Sequence, residues 1–294
     1  MDYKKIFKDT EKRLKLIYKL SFLPDKFYLK FVFRIKTGRK LNLKNPTGFN
    51  EKQNWLKLYD KHPEHTPLVD KIAVRDHITK ELGEGYLFPL LGYWESYDDI
   101  DFSKLPDKFV LKCNHGCAYN IVVTDKSTID KKAIIAQLNT WLKEDFGAFN
   151  IELHYSAIRH HRIICEEFLG EMITDYKFFC FNGIPYCIYV SKDLIHDRQA
   201  QIGFFFLDGT KMPLHRDDYQ DISSIELPAF FDEMKAAAQK LCEEFPFVRV
   251  DFFLANDTWY FAELTFTPGA GMMPFNPEKY DLEWGKMLDI SRLK

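Results

Sequence analysis

Residues 248–271 read V-R-V-D-F-F-L-A-N-D-T-W-Y-F-A-E-L-T-F-T-P-G-A-G. Two runs of alternating apolar residues, Val248–Leu254 and Thr258–Phe266, flank the turn Ala255-Asn256-Asp257. Asn-Asp chemistry between such runs predicts a β-hairpin. Asp251 and Glu263 stand inside these apolar strands. A carboxylate taken out of water is costly there unless it is paired or ligates a cation. Strand pairing sets the two acids roughly across from each other, close enough to share one hard metal ion through oxygen ligands. The alternative is a half-buried hairpin whose acids point to solvent. Arg249 precedes Asp251 by two residues and faces the same way, because side chains alternate along a strand. The Thr-Pro-Gly-Ala-Gly tail lets the backbone turn sharply beside them.

Upstream, Phe109–Lys112 and Ile121–Thr124 read as two more strands around the turn Cys113–Asn120. A flexible polar tip with Lys112 at its base can wrap phosphate oxygens with backbone N–H groups and one ammonium. Lys112 also fits an ordinary strand end. Cys113, His115 and Cys117 lack a second ligand cluster at usable spacing, which argues against structural zinc. Ile163–Gly170 reads as an apolar strand ending in acids. Asp175-Tyr176-Lys177 leads another strand, Phe178–Phe181, which turns at Asn182-Gly183 into Tyr186–Val190. Leu87–Tyr93 reads as a short strand. Helices are predicted from Val69 to about Glu81, from the N-cap Asp130 to about Glu144, and over Pro228–Glu244. Asp99-Ile100-Asp101 matches the Asp-x-Asp of some metal-dependent glycosyltransferases, a pattern common by chance.

The chain of 294 residues is long enough for one large domain or two small ones. With 46% hydrophobic and 29% charged residues it is globular, and no run of about 18 apolar residues suggests a membrane span. The six cysteines sit mostly in apolar strand contexts, which favours reduced thiols and a cytoplasmic setting. Residues 1–44 hold 14 Lys and Arg against 4 Asp and Glu, a balance of +10 against −12 for the remainder. Residues 3–20 fit a basic amphipathic helix broken by Pro24, and Lys26–Lys40 interleaves aromatics with bases. Such an arm could hold the protein peripherally at the inner face of an anionic membrane, or pack on the acidic body. Nucleic acid is the weaker option, because no recognised module accompanies the charge.

The ordered segments L-N-L-K-N-P-T-G-F-N-E-K, V-D-K-I-A-V-R-D-H-I, K-F-V-L-K-C-N-H-G, I-I-C-E-E-F-L-G, D-Y-K-F-F-C-F-N-G and F-P-F-V-R-V-D-F-F with F-A-E-L-T-F-T-P-G-A-G run from about Leu41 to Tyr280. In that order they resemble the ATP-grasp superfamily, and within it the TupA-like branch of teichuronopeptide and surface-polysaccharide biosynthesis. The resemblance implies an α+β fold with two lobes clasping ATP. A basic helical segment over 1–66 would precede an N-terminal lobe over 67–165 and a C-terminal lobe over 166–294. Lys71 and Lys112 would bind phosphates, and Asn114, His115 and Gly116 would form the loop closing over them. Glu166, Glu167, Phe168 and Leu169 would read adenine, Asp175 would meet the ribose, and Lys177 would reach phosphate. Asp251 and Glu263 would ligate Mg2+ and Arg249 would hold the transferring phosphoryl group. Most of the superfamily has Glu-x-Asn at the metal, whereas Glu263-Leu264-Thr265 places Thr265 there, a weaker ligand for a second ion. The implied activity is an ATP-dependent carboxylate–amine ligase, with glycan kinase and glycosyltransferase as alternatives. Its acceptor would be a small molecule or a glycan, lipid-linked or free.

Overall fold

The computed structural model describes residues 22–60, 62–170, 173–192, 200–217 and 219–293, with Lys12, Lys15, Leu16, Lys19 and Leu20. The amphipathic helix expected over residues 3–20 falls mostly outside the described residues. Helices α1 (Asp25–Thr37) and α2 (Phe49–Tyr59) lead into α3 (His65–Val69) and α4 (Val74–Leu82). Then follow β1 (Leu90–Trp94), β2 (Phe109–Cys113), β3 (Asn120–Val123), α5 (Lys131–Lys143), α6 (Leu153–Ser156) and β4 (Ile163–Glu167). These strands form an antiparallel sheet in the order β1-β4-β2-β3. The chain continues through β5 (Thr174–Phe181), β6 (Ile184–Lys192), β7 (Gln201–Phe206), β8 (Gln220–Asp221), α7 (Phe231–Cys242), β9 (Phe247–Ala255), β10 (Thr258–Thr265) and α8 (Lys279–Met287). Their sheet runs β10-β9-β5-β6-β7-β8, antiparallel except for the short β7–β8 pair.

Side-chain alternation divides the larger sheet into a core face and a working face. Tyr176, Phe178 and Cys180 of β5, with Val248, Val250 and Phe252 of β9, pack beneath Phe231, Met234 and Leu241 of α7. The opposite face changes character along each strand. Phe179, Phe181 and Phe247 join a second core with α1, α2 and α8, centred on the fully buried Trp284. Asp175, Lys177, Arg249 and Asp251 follow on the same face, and there the helices give way to the cleft. The smaller sheet packs Phe109, Leu111 and Cys165 on Ile134, Leu138 and Trp141 of α5. Asp130 caps that helix by accepting from the N–H groups of Lys132 and Ala133 at 3.0 and 3.1 Å.

Three element boundaries differ from the sequence reading. The helix expected from Val69 to Glu81 is two helices broken at Asp70, whose carboxylate accepts from the N–H groups of Ile72 and Ala73 instead of letting the turn propagate. The strand expected from Leu87 starts at Leu90, after Pro89, which has no N–H to donate. β5 starts at Thr174 rather than Phe178, because its ladder with β9 takes in Asp175 and Lys177.

The basic segment is partly tied to the body. Arg39 reaches Glu278 at 2.7 Å and Asp281 at 2.6 Å, and Tyr28 donates to the Phe149 carbonyl at 2.9 Å. Gly285 lets α8 lie against the loop before α2, where a Cβ would stand 2.1 Å from the Thr47 carbonyl oxygen. Gly285→Ala is expected to destabilise the fold by about 1–3 kcal/mol, read as a lower denaturation midpoint. All six cysteines are free thiols, and five are buried. Among the described residues no helix is long and apolar enough to cross a membrane.

Candidate active site

The hairpin turns through Asn256 and Asp257, both at positive φ of 51° and 55°, which suits a two-residue turn. Simple counting from that turn would put Ala262 opposite Asp251. A bulge between Phe261 and Glu263 changes the phase and pairs Glu263 with Asp251 instead. β9 also pairs with β5, which puts Lys177 opposite Asp251.

Asp251 is fully buried, and Arg249 grips it with Nε at 2.7 Å from Oδ1 and Nη2 at 2.5 Å from Oδ2. Lys177 Nζ lies 3.1 Å from Asp251 Oδ2 and 3.4 Å from Asp175 Oδ2. Arg249 Nη2 also donates to Glu263 Oε1 at 2.9 Å and to Thr265 Oγ1 at 3.0 Å, and Thr265 donates to Glu263 at 2.9 Å. Burial pulls the Lys177 and Arg249 pKa values down, but it is outweighed by Asp175, Asp251 and Glu263 at Lys177 and by Asp251 and Glu263 at Arg249, which hold both above their ordinary values. Burial alone would raise Glu263. Arg249, Lys71 and Lys177 instead bring it down to about 2, so it is a carboxylate at any physiological pH. Lys71 follows α3, whose Leu68 and Val69 pack in the core of the larger sheet, and it is held to the β2–β3 loop of the smaller one.

The break at Asp70 delivers Lys71. Asn114 Nδ2 donates to Asp70 Oδ2 at 2.8 Å, the Lys71 N–H donates to the Asn114 carbonyl at 3.2 Å, and Lys71 Nζ reaches the Gly116 carbonyl at 2.5 Å. The β2–β3 loop is thereby fastened to the α3–α4 break. The side chains expected at a mobile tip are buried: Asn114 also accepts from the Arg162 N–H at 2.8 Å. His115 meets the Trp141 carbonyl at 2.9 Å and stacks on His161. Gly116 abuts the Tyr119 ring, where a Cβ would stand 2.4 Å away. The exposed part of the loop is Cys117 and Ala118, one to two residues beyond the expected tip. Cys117 lies within electrostatic reach of Glu263 and Arg249, which brings the loop over the acids.

Lys112 pairs with Glu166 at 2.6 Å, and Arg75 lies 3.5 Å from the other oxygen of Glu166 while donating to the Phe88 carbonyl at 2.8 Å. Lys71, Arg75, Lys112, Glu166 and Phe261 line one small cavity. Arg75 was missed by the sequence reading, although it stands four residues after Lys71 in the same motif. In the linker, the Glu167 N–H is taken by the Pro89 carbonyl at 3.0 Å. Phe168 is half-buried beneath Lys108, and the Leu169 carbonyl accepts from Asn256 Nδ2 at 3.0 Å. Asp175 accepts from Ser191 at 2.8 Å, while its buried Oδ1 has no partner among the described residues. Asp101 is spent on its own turn with Ser103 and Lys104, and Asp99 is exposed beside it.

A family model of the TupA-like ATP-grasp group matches residues 51–289. The chain belongs to the TupA-like ATP-grasp family. Several solved structures are similar to parts of the chain. The ATP-grasp ligase PsnB, solved with a phosphomimetic variant of its minimal precursor, Mg and ADP, is 14% identical over 83% of this chain and 66% of its own, with a TM-score of 0.42. The D-alanine–D-alanine ligase of Bacillus anthracis with ATP is 16% identical over 75% and 57%, with a TM-score of 0.40. Its Helicobacter pylori counterpart is 16% identical over 82% and 69%, with a TM-score of 0.46. The chain thus spans less than two thirds of the PsnB and B. anthracis chains. No curated protein matches it.

Among the described residues no group of three or more His, Cys, Asp or Glu could hold a metal ion by itself. Asp251, Glu263 and Thr265 are the oxygen groups that would hold a magnesium ion, and in this structure Arg249 contacts all three. Beyond Thr265 opens a cavity of about 300 Å³, lined in part by Lys57, Asp60, His62, His65, His154 and Thr267. The sequence reading missed it, because these residues are scattered along the chain. His154 Nε2 is buried there with no hydrogen-bond partner among the described residues. Burial, helped by neighbouring positive charge, holds His65 down at about 4 and His154 at about 3. The unfolded chain takes up protons near pH 6.5 that these folded imidazoles refuse. Stability is therefore full above about pH 6.5 and declines as pH falls toward 4. His65, stacked on Phe266, contributes on the order of 3 kcal/mol of that decline. His65→Phe is expected to flatten this limb in denaturant titrations run at several pH values.

Proposed function

We propose that this protein is an ATP-dependent carboxylate–amine ligase acting in the assembly of a cell-surface polysaccharide. The observation that carries the reading is the Asp251–Glu263 pair bridged by Arg249 within the field of Lys71. It is a cradle for a polyphosphate with a divalent cation. ATP is a substrate here, with Lys71 and Lys112 meeting its phosphates, and residues 166–169 lining the adenine side. The partnerless Oδ1 of Asp175 accepts from a ribose hydroxyl. A magnesium ion on Asp251, Glu263 and Thr265 would neutralise charge on the phosphate oxygens.

In the first step a carboxylate oxygen of the acceptor attacks the terminal phosphorus of ATP, the bond to the bridging oxygen breaks, and ADP leaves. Arg249 and Lys177 stabilise the charge that gathers on the transferring group, which is where catalysis of this kind chiefly comes from. An amine then attacks the acyl carbon, phosphate departs with the bonding pair, the amine proton goes to solvent, and an amide remains. The second step requires water to be kept out, a role suited to the loop carrying Cys117 and Ala118. The cavity beyond Thr265 is our candidate for the carboxylate-bearing acceptor.

ADP release that requires both a carboxylate and an amine, with an amide as product, is the expected result. Phosphate left stably on a sugar would instead make the protein a kinase. A uridine diphosphate sugar that alone stabilised the fold would favour a glycosyltransferase. Magnesium with ATP at a hundredfold excess over Kd should add about 2.7 kcal/mol to stability.

A further inference from the structure

The four residues Tyr28, Leu29, Val32 and Phe33 bury one side of α1 in the core that α2 and α8 share. At about 100° per residue, the rest of the helix circumference falls into two parallel strips. Phe27, Phe31 and Ile35 follow each other at four-residue steps and are 61%, 45% and 38% exposed. Lys26, Lys30 and Arg34 repeat at the same steps, one residue earlier, and are exposed too. Just before the helix, Phe22 is 77% exposed. Lys36, on the buried side, instead turns inward to Asn150 and the Phe149 ring. Among the described residues Lys26 and Lys30 have no carboxylate partner, although the chain beyond residue 44 carries a charge of −12. Among the described residues, intramolecular docking takes Arg39 and leaves this half of α1 uncovered.

We infer that the exposed half of α1 docks on an anionic lipid bilayer. Two aligned strips, one aromatic and one cationic, match the two layers that such a helix meets when it lies in the interface plane. The rings enter the acyl boundary, and the ammonium and guanidinium groups meet lipid phosphates. Charge complementarity selects this occupant: a protein groove would cover the Phe27–Phe31–Ile35 strip but would leave the bases beside it unmatched. The inference is independent of the chemistry in the cleft.

The test is co-sedimentation of the full chain with vesicles of phosphatidylcholine alone, or of phosphatidylcholine with phosphatidylserine. Binding to the mixed vesicles only, weakened as salt shortens the screening length, is the expected result. Phe27→Ser with Phe31→Ser, and separately Lys26→Glu with Lys30→Glu, should each lower partitioning by about tenfold or more with unchanged melting temperature, since all four side chains are exposed. Equal binding to both vesicle types would overturn the inference. So would binding that survives both double variants and disappears only when residues 1–20 are removed, because the lipid contact would then lie in that arm. Concentration-dependent self-association of the free protein, abolished by the Phe variants with no vesicle binding, would assign the strip to a second copy of the chain and overturn it as well.

Discussion

Glu263→Gln is expected to remove ATP turnover while leaving the protein folded. The substitution keeps the shape of the side chain and its acceptor for Arg249, but takes away the formal charge that would face a divalent cation. Glu263 is 26% exposed in the cleft, and Arg249 retains both of its bonds to Asp251. The attraction of Arg249, Lys71 and Lys177 that holds the Glu263 pKa down is lost with the charge, so stability should fall by about 1–3 kcal/mol. Turnover should fall by about a hundredfold to a thousandfold, the range for removing one preorganised electrostatic partner of a transition state. Steady-state ADP release, with a magnesium-dependent thermal shift alongside, separates the outcomes. Unchanged turnover would remove Glu263 from the metal set. Lost ATP binding at normal magnesium affinity would make its role nucleotide positioning.

Asp251→Asn should behave differently although it lies directly across the ladder. Asp251 is fully buried, and both of its oxygens are engaged by Arg249 and Lys177. Neutralising it leaves two buried cations sharing Asp175 and Glu263. Removing one partner of a buried ion pair costs about 3–5 kcal/mol, because the remaining charge stays desolvated. The urea midpoint should drop accordingly and activity should be lost with it. The contrast between the two variants is the diagnostic. Equal stabilities would mean that the Arg249–Asp251 contact is surface-like, contrary to the burial of both side chains.

Much of this site was legible in the sequence because charges inside alternating apolar strands are hard to explain otherwise. Asp251 and Glu263 stand out for that reason, and Arg249 shares their strand face. Lys177, read as lying before its strand, stands out only through the family resemblance. The four do meet. The pairing of Glu263 with Asp251 depends on the extra residue Ala262, however, and a bulge at an alanine leaves no local signal. Asn114 and His115 read as a polar loop tip because such residues usually face water. Their partners, Asp70, the Arg162 N–H and the Trp141 carbonyl, are far away in the chain, so their burial could not be seen locally. The break at Asp70 was hidden in the same way. Leu68, Val69, Val74 and Ile78 keep an apolar spacing on both sides of it, and the competing hydrogen bonds of one carboxylate decide the matter.

Helix α2 has a bearing on how this protein can be dissected. Asn54 donates to the Gly271 carbonyl at 2.7 Å, Lys57 to the Ala270 carbonyl at 2.5 Å, and Asn50 to the Met273 carbonyl at 2.8 Å. All three acceptors lie on the loop that leaves the acid hairpin after Thr265. The amino-terminal appendage is therefore a splint for the nucleotide site. A shortened protein that began after residue 60 would keep every candidate phosphate and metal ligand, and would lose both the brace that holds the end of β10 in place and the Lys57 and Asp60 wall of the cavity beyond Thr265. Catalytic failure of such a fragment would report a loosened support as well as the lost cavity wall, and substitutions at Asn54, which only braces the loop, would masquerade as ligand mutants.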